Sequence, residues 1–207
     1  MLRRSDEAAN AGLEVVLYCG RVQLVNKDAL YSDGDKYLPA VTAVSHLKTF
    51  LPSINSVLVL GSGLGSIVHV IRGKGYNPRY TLVEQNKTIL KWAMEFLDEA
   101  GEAKVTPVCM DAKAFMEQNT GKYDLVFIDI FNRLSVPEFV TTKEFLQRCK
   151  DALSYEGHLA LNYITDNKPQ WERVKNIVSE IFTGYQVIEE GVNKIIVYTN
   201  SKAQSQG

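Results

Sequence analysis

Apolar positions along the chain follow two rhythms. Short apolar runs of strand type at 56–60, 79–83, 104–108, 123–129 and 157–163 alternate with segments of helical period at 66–73, 86–99, 111–118, 141–153 and 169–182. That alternation predicts a mostly parallel sheet with helices on both faces. Two later β runs, Tyr185 to Glu189 and Lys194 to Thr199, are joined by Glu190-Gly191-Val192-Asn193 and read as a hairpin closing a seven-stranded sheet. Near the start, Leu13 to Tyr18 and Arg21 to Val25 flank Cys19-Gly20, a two-residue turn that favours a second hairpin. Leu38, Val41, Val44, Leu47 and Phe50 recur every third position, predicting one face of a helix entered through Pro39 and finished before Pro52. These patterns divide the chain into a short β-hairpin region at 1–35, a main α/β domain at 36–200 and a disordered tail at 201–207.

Composition narrows the function classes. With 207 residues, 45% of them hydrophobic and 23% charged, the chain has material for one full core. A formal charge of -1 provides no basic field for nucleic acid, so a small-molecule substrate is the expected partner. Cys19, Cys109 and Cys149 are odd in number and scattered, and His46, His69 and His158 share no ligand spacing, so neither a disulfide framework nor a metal site is expected. The first residues turn acidic at Asp6-Glu7 where a signal peptide needs an apolar stretch, and no run reaches the roughly 20 apolar residues of a membrane span. A soluble, cytoplasmic protein is expected.

The chemistry concentrates where strands meet helices. Val57-Leu58-Val59-Leu60 runs into Gly61-Ser62-Gly63-Leu64-Gly65, a turn whose glycines let a backbone approach a ligand while the next helix offers unpaired N–H groups. Dinucleotide sites use G-x-G-x-x-G, whereas Gly61, Gly63 and Gly65 form G-x-G-x-G, which argues against NAD. Glu84 ends the next strand, where a carboxylate can accept hydrogen bonds from a ribose diol; the bland alternative is a neighbour of a helix cap. Asp111 follows the third strand and can accept from an adenine amino group or simply cap the helix after it. Asp129 ends the apolar strand Tyr123-Asp124-Leu125-Val126-Phe127-Ile128, where a buried carboxylate needs a partner. Trp92 with Phe96, and Trp171, read as packing positions.

The glycine turn resembles motif I of the class I S-adenosylmethionine-dependent methyltransferases. Further segments make the chain similar to the spermidine-synthase-like branch of that superfamily: Gly20-Arg21-Val22-Gln23 with Asp28, Val83-Glu84-Gln85, Asp111-Ala112-Lys113-Ala114-Phe115 and the strand ending at Asp129. The resemblance implies a Rossmann-like class I methyltransferase fold with S-adenosylmethionine as cofactor. It also implies cofactor-binding residues Gln23, Gly61, Ser62, Gly63, Gly65, Glu84, Gln85, Asp111, Ala112 and Asp129, with Asp129 as the catalytic base.

Two departures shape the expected activity. Aminopropyltransferases of this branch carry an aspartate inside the glycine loop, where this chain has Leu64, and small hydroxyl residues with Asp-Pro after the terminal aspartate, where it has Ile130-Phe131-Asn132-Arg133. An ion pair at contact is worth about 4 kcal/mol gross at an effective dielectric near 20, and a third of that is about tenfold in affinity. Leu64 therefore favours intact S-adenosylmethionine and methyl transfer over the decarboxylated donor. Asp129 would orient an acceptor or take its proton, with Gln23 and Tyr31 or Tyr37 at the methionine end or over the acceptor. Two alternatives stay open: an aminopropyltransferase, and a non-catalytic member that binds a nucleoside or a protein. The N-terminal hairpin is either a lid or the contact of a homodimer.

Overall fold

The computed structural model describes residues 1–5, 10, 12–27, 29–99, 104–132 and 135–200. Asp28, Arg133 and the 201–207 tail lie outside the described residues. Eleven strands and six α-helices occur among those described, arranged as two sheets.

The larger sheet is built from β5 (Ser56–Leu60), β6 (Arg79–Glu84), β7 (Lys104–Cys109), β8 (Tyr123–Ile128), β9 (Leu153–Ile164), β10 (Gln186–Glu190) and β11 (Asn193–Thr199). Its spatial order is β10-β11-β9-β8-β5-β6-β7, parallel from β9 to β7, with β11 antiparallel to both β9 and β10. Strand alternation supplies both faces. Val57, Val59, Leu125 and Phe127 enter one buried layer, while Leu58, Leu60, Val126 and Ile128 enter the other. The first layer is covered by α1 (Leu38–His46), α2 (Ser66–Gly73) and α3 (Lys87–Glu99) through residues such as Val44, Ile71 and Leu97. The second is covered by α4 (Ala112–Gln118), α5 (Lys143–Asp151) and α6 (Lys168–Ile181) through Met116, Leu146, Trp171 and Val178. This is the α/β, mostly parallel seven-stranded architecture with a C-terminal hairpin that the pattern predicts.

The first helix presents a different face from the one its spacing implies. Ala40, Ala43, Val44 and Leu47 are buried, while Leu38 and Phe50 are 45% and 41% exposed. A strict three-residue repeat drifts by about 60° per step around a helix of 3.6 residues per turn, so such a row cannot hold one face. Small residues at 40 and 43 carry the contact instead. The segment expected as a helix from 141 starts as a 3-10 turn, Glu138–Thr141; α5 begins after Thr142, whose hydroxyl accepts from the Phe145 N–H.

The N-terminal region is more than a hairpin. Strands β2 (Leu13–Tyr18) and β3 (Arg21–Asn26) pair through Cys19-Gly20, both at positive φ as a type I′ turn requires. Two further strands, β1 (Arg3–Arg4) and β4 (Ala29–Asp33), extend them to a four-stranded antiparallel sheet. Its apolar face, Leu13, Val15 and Leu24, packs on Leu64, Ile89 and Trp92, with Phe96 alongside. The small sheet is thereby clamped against the glycine turn and α3. Trp92 and Phe96 belong to this contact, and Trp171 belongs to the core under α6.

Candidate active site

Sheet register brings the candidate residues to one level. Leu60 pairs with Val83 on one side and Ile128 on the other, and Glu84 pairs with Cys109. The next residues of these strands, Gly61, Asp129 and Met110-Asp111, therefore emerge beside Glu84 at the C-terminal edge, where open α/β sheets bind ligands. Backbone hydrogen bonds Gly61 N to Val83 O (3.0 Å), Asp129 N to Leu60 O (2.9 Å) and Met110 N to Glu84 O (3.2 Å) carry the ladder past the strand ends. A cavity of about 470 Å³ opens above them, roofed by Leu13, Asn26 and Tyr31 of the small sheet.

Gly61, Gly63, Glu84, Gln85, Asp111, Ala112 and Asp129 line this cavity together. Gln23, Ser62 and Gly65 fall outside its lining. The Gln23 amide donates to Asp33 Oδ1 at 2.8 Å, beside the Arg21 Nε donation to the same oxygen at 2.9 Å. Ser62 is buried and its hydroxyl donates to the Gly63 carbonyl at 3.1 Å. Gly65, at φ +81, is the cap residue before α2, and a Cβ there would stand 2.8 Å from Leu97 Cδ1. Gly61 at φ +84 and Gly63 at φ +49 would likewise put a Cβ 2.4 Å from the Asp129 carbonyl oxygen and 2.8 Å from that of Tyr31. The glycines thus admit the protein's own backbone, drawing β8 and β4 against the turn.

Leu64 points away from the cavity. It is 3% exposed, in the apolar cluster between the small sheet and α3. Its apolar character answers to packing there.

Asp129 is the most constrained group of the site. It is 9% exposed, and Asn162 Nδ2 of β9 donates to its Oδ1 at 2.8 Å. The buried Tyr37 hydroxyl, just ahead of α1, hydrogen-bonds the same carboxylate. Burial raises the carboxyl to about 6, against the opposing pull of Asn162 and Tyr37. Burial and the adjacent Asp129 charge drive the Tyr37 phenol well above its usual range. Glu84 is also raised by burial, opposed by the N–H groups of Asn86, Ser62, Gly63 and Gln85, of which Asn86 N lies 2.9 Å from Oε1. Asp111 is exposed and accepts from Ala114 N at 3.0 Å, so it caps α4 as well as lining the cavity. Among the described lining residues there are three carboxylates and no Lys, Arg or His.

Several contributors escape a residue-by-residue reading. Asn162 directly follows the apolar run Leu159-Ala160-Leu161 within β9, and the rule that flags Asp129, a polar group in a buried strand needing a partner, flags it equally. Asn10, Asn26 and Asn86 join the lining, with Asn86 Nδ2 donating to Asn10 Oδ1 at 2.6 Å. Tyr31 stacks on Phe131 across the cavity mouth, ring centroids 5.1 Å apart.

A family model for the spermine/spermidine synthase domain matches residues 40–201. The chain belongs to that family. Among the relatives of this family member, a polyamine aminopropyltransferase of Clostridium botulinum is 26% identical over 145 residues, 68% of this chain and 48% of the relative. The chain thus spans about half the length of that curated relative. A probable spermidine synthase of Corynebacterium glutamicum superposes with a TM-score of 0.77 at 17% identity, covering 90% of this chain and 76% of that one. Human methyltransferase-like protein 13, in complex with SAH, gives 0.67 at 20% identity and 84% of each chain. At these identities the two structures establish a shared fold. No helix among the described residues is long and apolar enough to cross a membrane.

Proposed function

We propose that the protein transfers an aminopropyl group from decarboxylated S-adenosylmethionine to an amine. The observation that carries this reading is the charge of the cavity: three carboxylates and, among its described residues, no cation. Such a site suits a sulfonium donor and an acceptor that is an amine, whereas the carboxylate of intact S-adenosylmethionine meets no cation among the described lining residues. The methyl-transfer expectation rested on Leu64, and a side chain packed under the small sheet exerts no charge selection in the cavity. The family match and the names of relatives such as the Clostridium botulinum aminopropyltransferase support the same reading.

The lining suits this donor. Glu84, with Gln85 beside it, could accept from a ribose diol; Asp111 and Ala112, one strand further, would hold the adenine, and Gly61, Gly63 and Asp129 would face the sulfonium end. Bound there, the donor supplies an electrophilic carbon whose bond to sulfur breaks as the acceptor nitrogen attacks. The chain holds that nitrogen in line and removes its proton. Asp129 does so as general base: at neutral pH a carboxyl near 6 is mostly ionised yet basic enough to take a proton. Asn162 and Tyr37 fix the carboxylate in place.

Calorimetry with both donors tests the reading. The decarboxylated form is expected to bind about tenfold tighter, the value of roughly 1.4 kcal/mol. Tighter binding of intact S-adenosylmethionine restores methyl transfer, and no binding of either removes the cofactor assignment. Donor binding without turnover of any amine leaves the non-catalytic alternative.

A further inference from the structure

Sheet order gives the cavity a direction. From β8 through β5 and β6 to β7, the strand ends carry Asp129, Gly61, Glu84 and Asp111 in that sequence, across three strand spacings or about 14 Å. On the transfer reading, which this inference rests on, the nucleoside occupies the β6 and β7 end. The β8 end is left for the acceptor.

That end is anionic at one point and apolar beyond it. Asp129 gives way along the chain to Ile130 and Phe131, both lining the cavity, and Tyr31 of β4 lies parallel to the Phe131 ring, the planes 9° apart. The other two acids of the lining are held elsewhere: Glu84 accepts from the Asn86 N–H, and Asp111 caps α4. Among the described lining residues, no second carboxylate faces the space beside the two rings.

We propose that the acceptor is a primary monoamine carrying a flat apolar body, an arylalkyl amine, with its nitrogen at Asp129 and its ring against Tyr31 and Phe131. A ring face attracts a cation. An uncharged ring nevertheless gains stacking and leaves water without stripping a second ammonium of its hydration. In the transfer the acceptor lone pair forms the new C–N bond while the C–S bond breaks. The freed electron pair stays on sulfur as a neutral thioether, and the displaced N–H proton passes to the Asp129 carboxylate.

The test uses the full chain, decarboxylated S-adenosylmethionine, and either 2-phenylethylamine or 1,4-diaminobutane, with the thioether nucleoside measured by chromatography. The aryl amine is expected to be the better acceptor by about tenfold in kcat/KM, the effect of one stacked and buried ring. Phe131→Ala is expected to raise KM for 2-phenylethylamine about tenfold while calorimetry without acceptor finds the donor Kd unchanged within about twofold. Phe131→Asp, by adding an acid beyond Asp129, is expected to turn the preference toward the diamine. A wild-type preference for the diamine overturns the proposal. So does donor binding with no turnover of the aryl amine, which leaves the donor reading standing; failure of the donor to bind removes both.

Discussion

Asn162 donates its Nδ2 hydrogen to Asp129 Oδ1 across 2.8 Å while its own Oδ1 is buried with no hydrogen-bond partner among the described residues. An orphaned carbonyl in the core is costly, so the amide is held in this orientation by what its other end does for the carboxylate. Asn162 stabilises the Asp129 anion against the burial that raises it to about 6.

The first prediction follows from that opposition. A general base must be ionised, so kcat/KM is expected to fall as pH drops through about 6. Asn162→Leu removes a hydrogen bond to a charged group, worth about 1.5–3 kcal/mol. At 1.36 kcal/mol per unit this moves the acidic limb up by about one pH unit or more. Tyr37, whose phenol stays protonated, remains on the carboxylate in the variant. A pH–rate profile whose limb stays in place removes Asn162 from this role.

Asp129→Asn is expected to abolish transfer and to stabilise the fold at neutral pH. The folded carboxyl lies above its unfolded value of 3.8, at about 6. The native state therefore binds more protons between the two, and stability declines as pH rises through that window. Above it the anion costs on the order of 3 kcal/mol, an upper figure from the shift itself. Thermal unfolding at pH 8 is expected to show a higher Tm for the variant by several degrees, and the gain is expected to vanish near pH 4. A variant less stable than wild type at pH 8 contradicts this balance.

Leu64→Asp separates packing from donor choice. At 3% exposure among Leu13, Val15, Leu24, Ile89 and Trp92, the new carboxylate is buried in an apolar cluster, at the edge of a second cavity that it shares with Arg21 and His69. It is expected to cost about 3 kcal/mol or more in urea unfolding and to leave the affinity ratio of the two donors where it was. A gain of about tenfold for the decarboxylated donor returns position 64 to the site.

Two glycines with opposite surroundings check the turn. Gly61→Ala forces a left-handed φ of +84 and a Cβ 2.4 Å from the Asp129 carbonyl oxygen; a loss of at least about 2 kcal/mol is expected, with weaker donor binding as β8 is pushed back. Gly73→Ala, at the end of α2 with nothing within 4 Å of the added Cβ, is expected to be neutral or to gain up to about 1 kcal/mol. Chemical denaturation of the pair tells them apart. Equal losses would mean that contact at Gly61 is relieved without cost.

Much of this was legible along the chain because it is local. Alternation of Val57, Leu58, Val59 and Leu60 implies a strand buried on both faces, and the glycine turn after it implies a tight passage to α2. Asp129 at the end of an apolar run announces a carboxylate that needs a partner. Hydrophobicity alone does not reveal the first-helix face: Leu38 and Phe50 stay exposed, and close approach there belongs to Ala40 and Ala43. The extra strands β1 and β4 are too short to stand out before the sheet that stabilises them is known.

By itself the sequence determined the strand–helix order and the acids at the ends of three strands, because hydrophobic period and turn chemistry act within a few residues. Tertiary structure decided which of those groups work together. The β8–β9 register pairs Ile128 with Leu161 and so sets Asn162 beside Asp129, 33 residues away in sequence. Docking of the small sheet turned Leu64 into core and brought Tyr31 over Phe131. A side chain's direction depends on which surface arrives to cover it, and that surface comes from elsewhere in the chain.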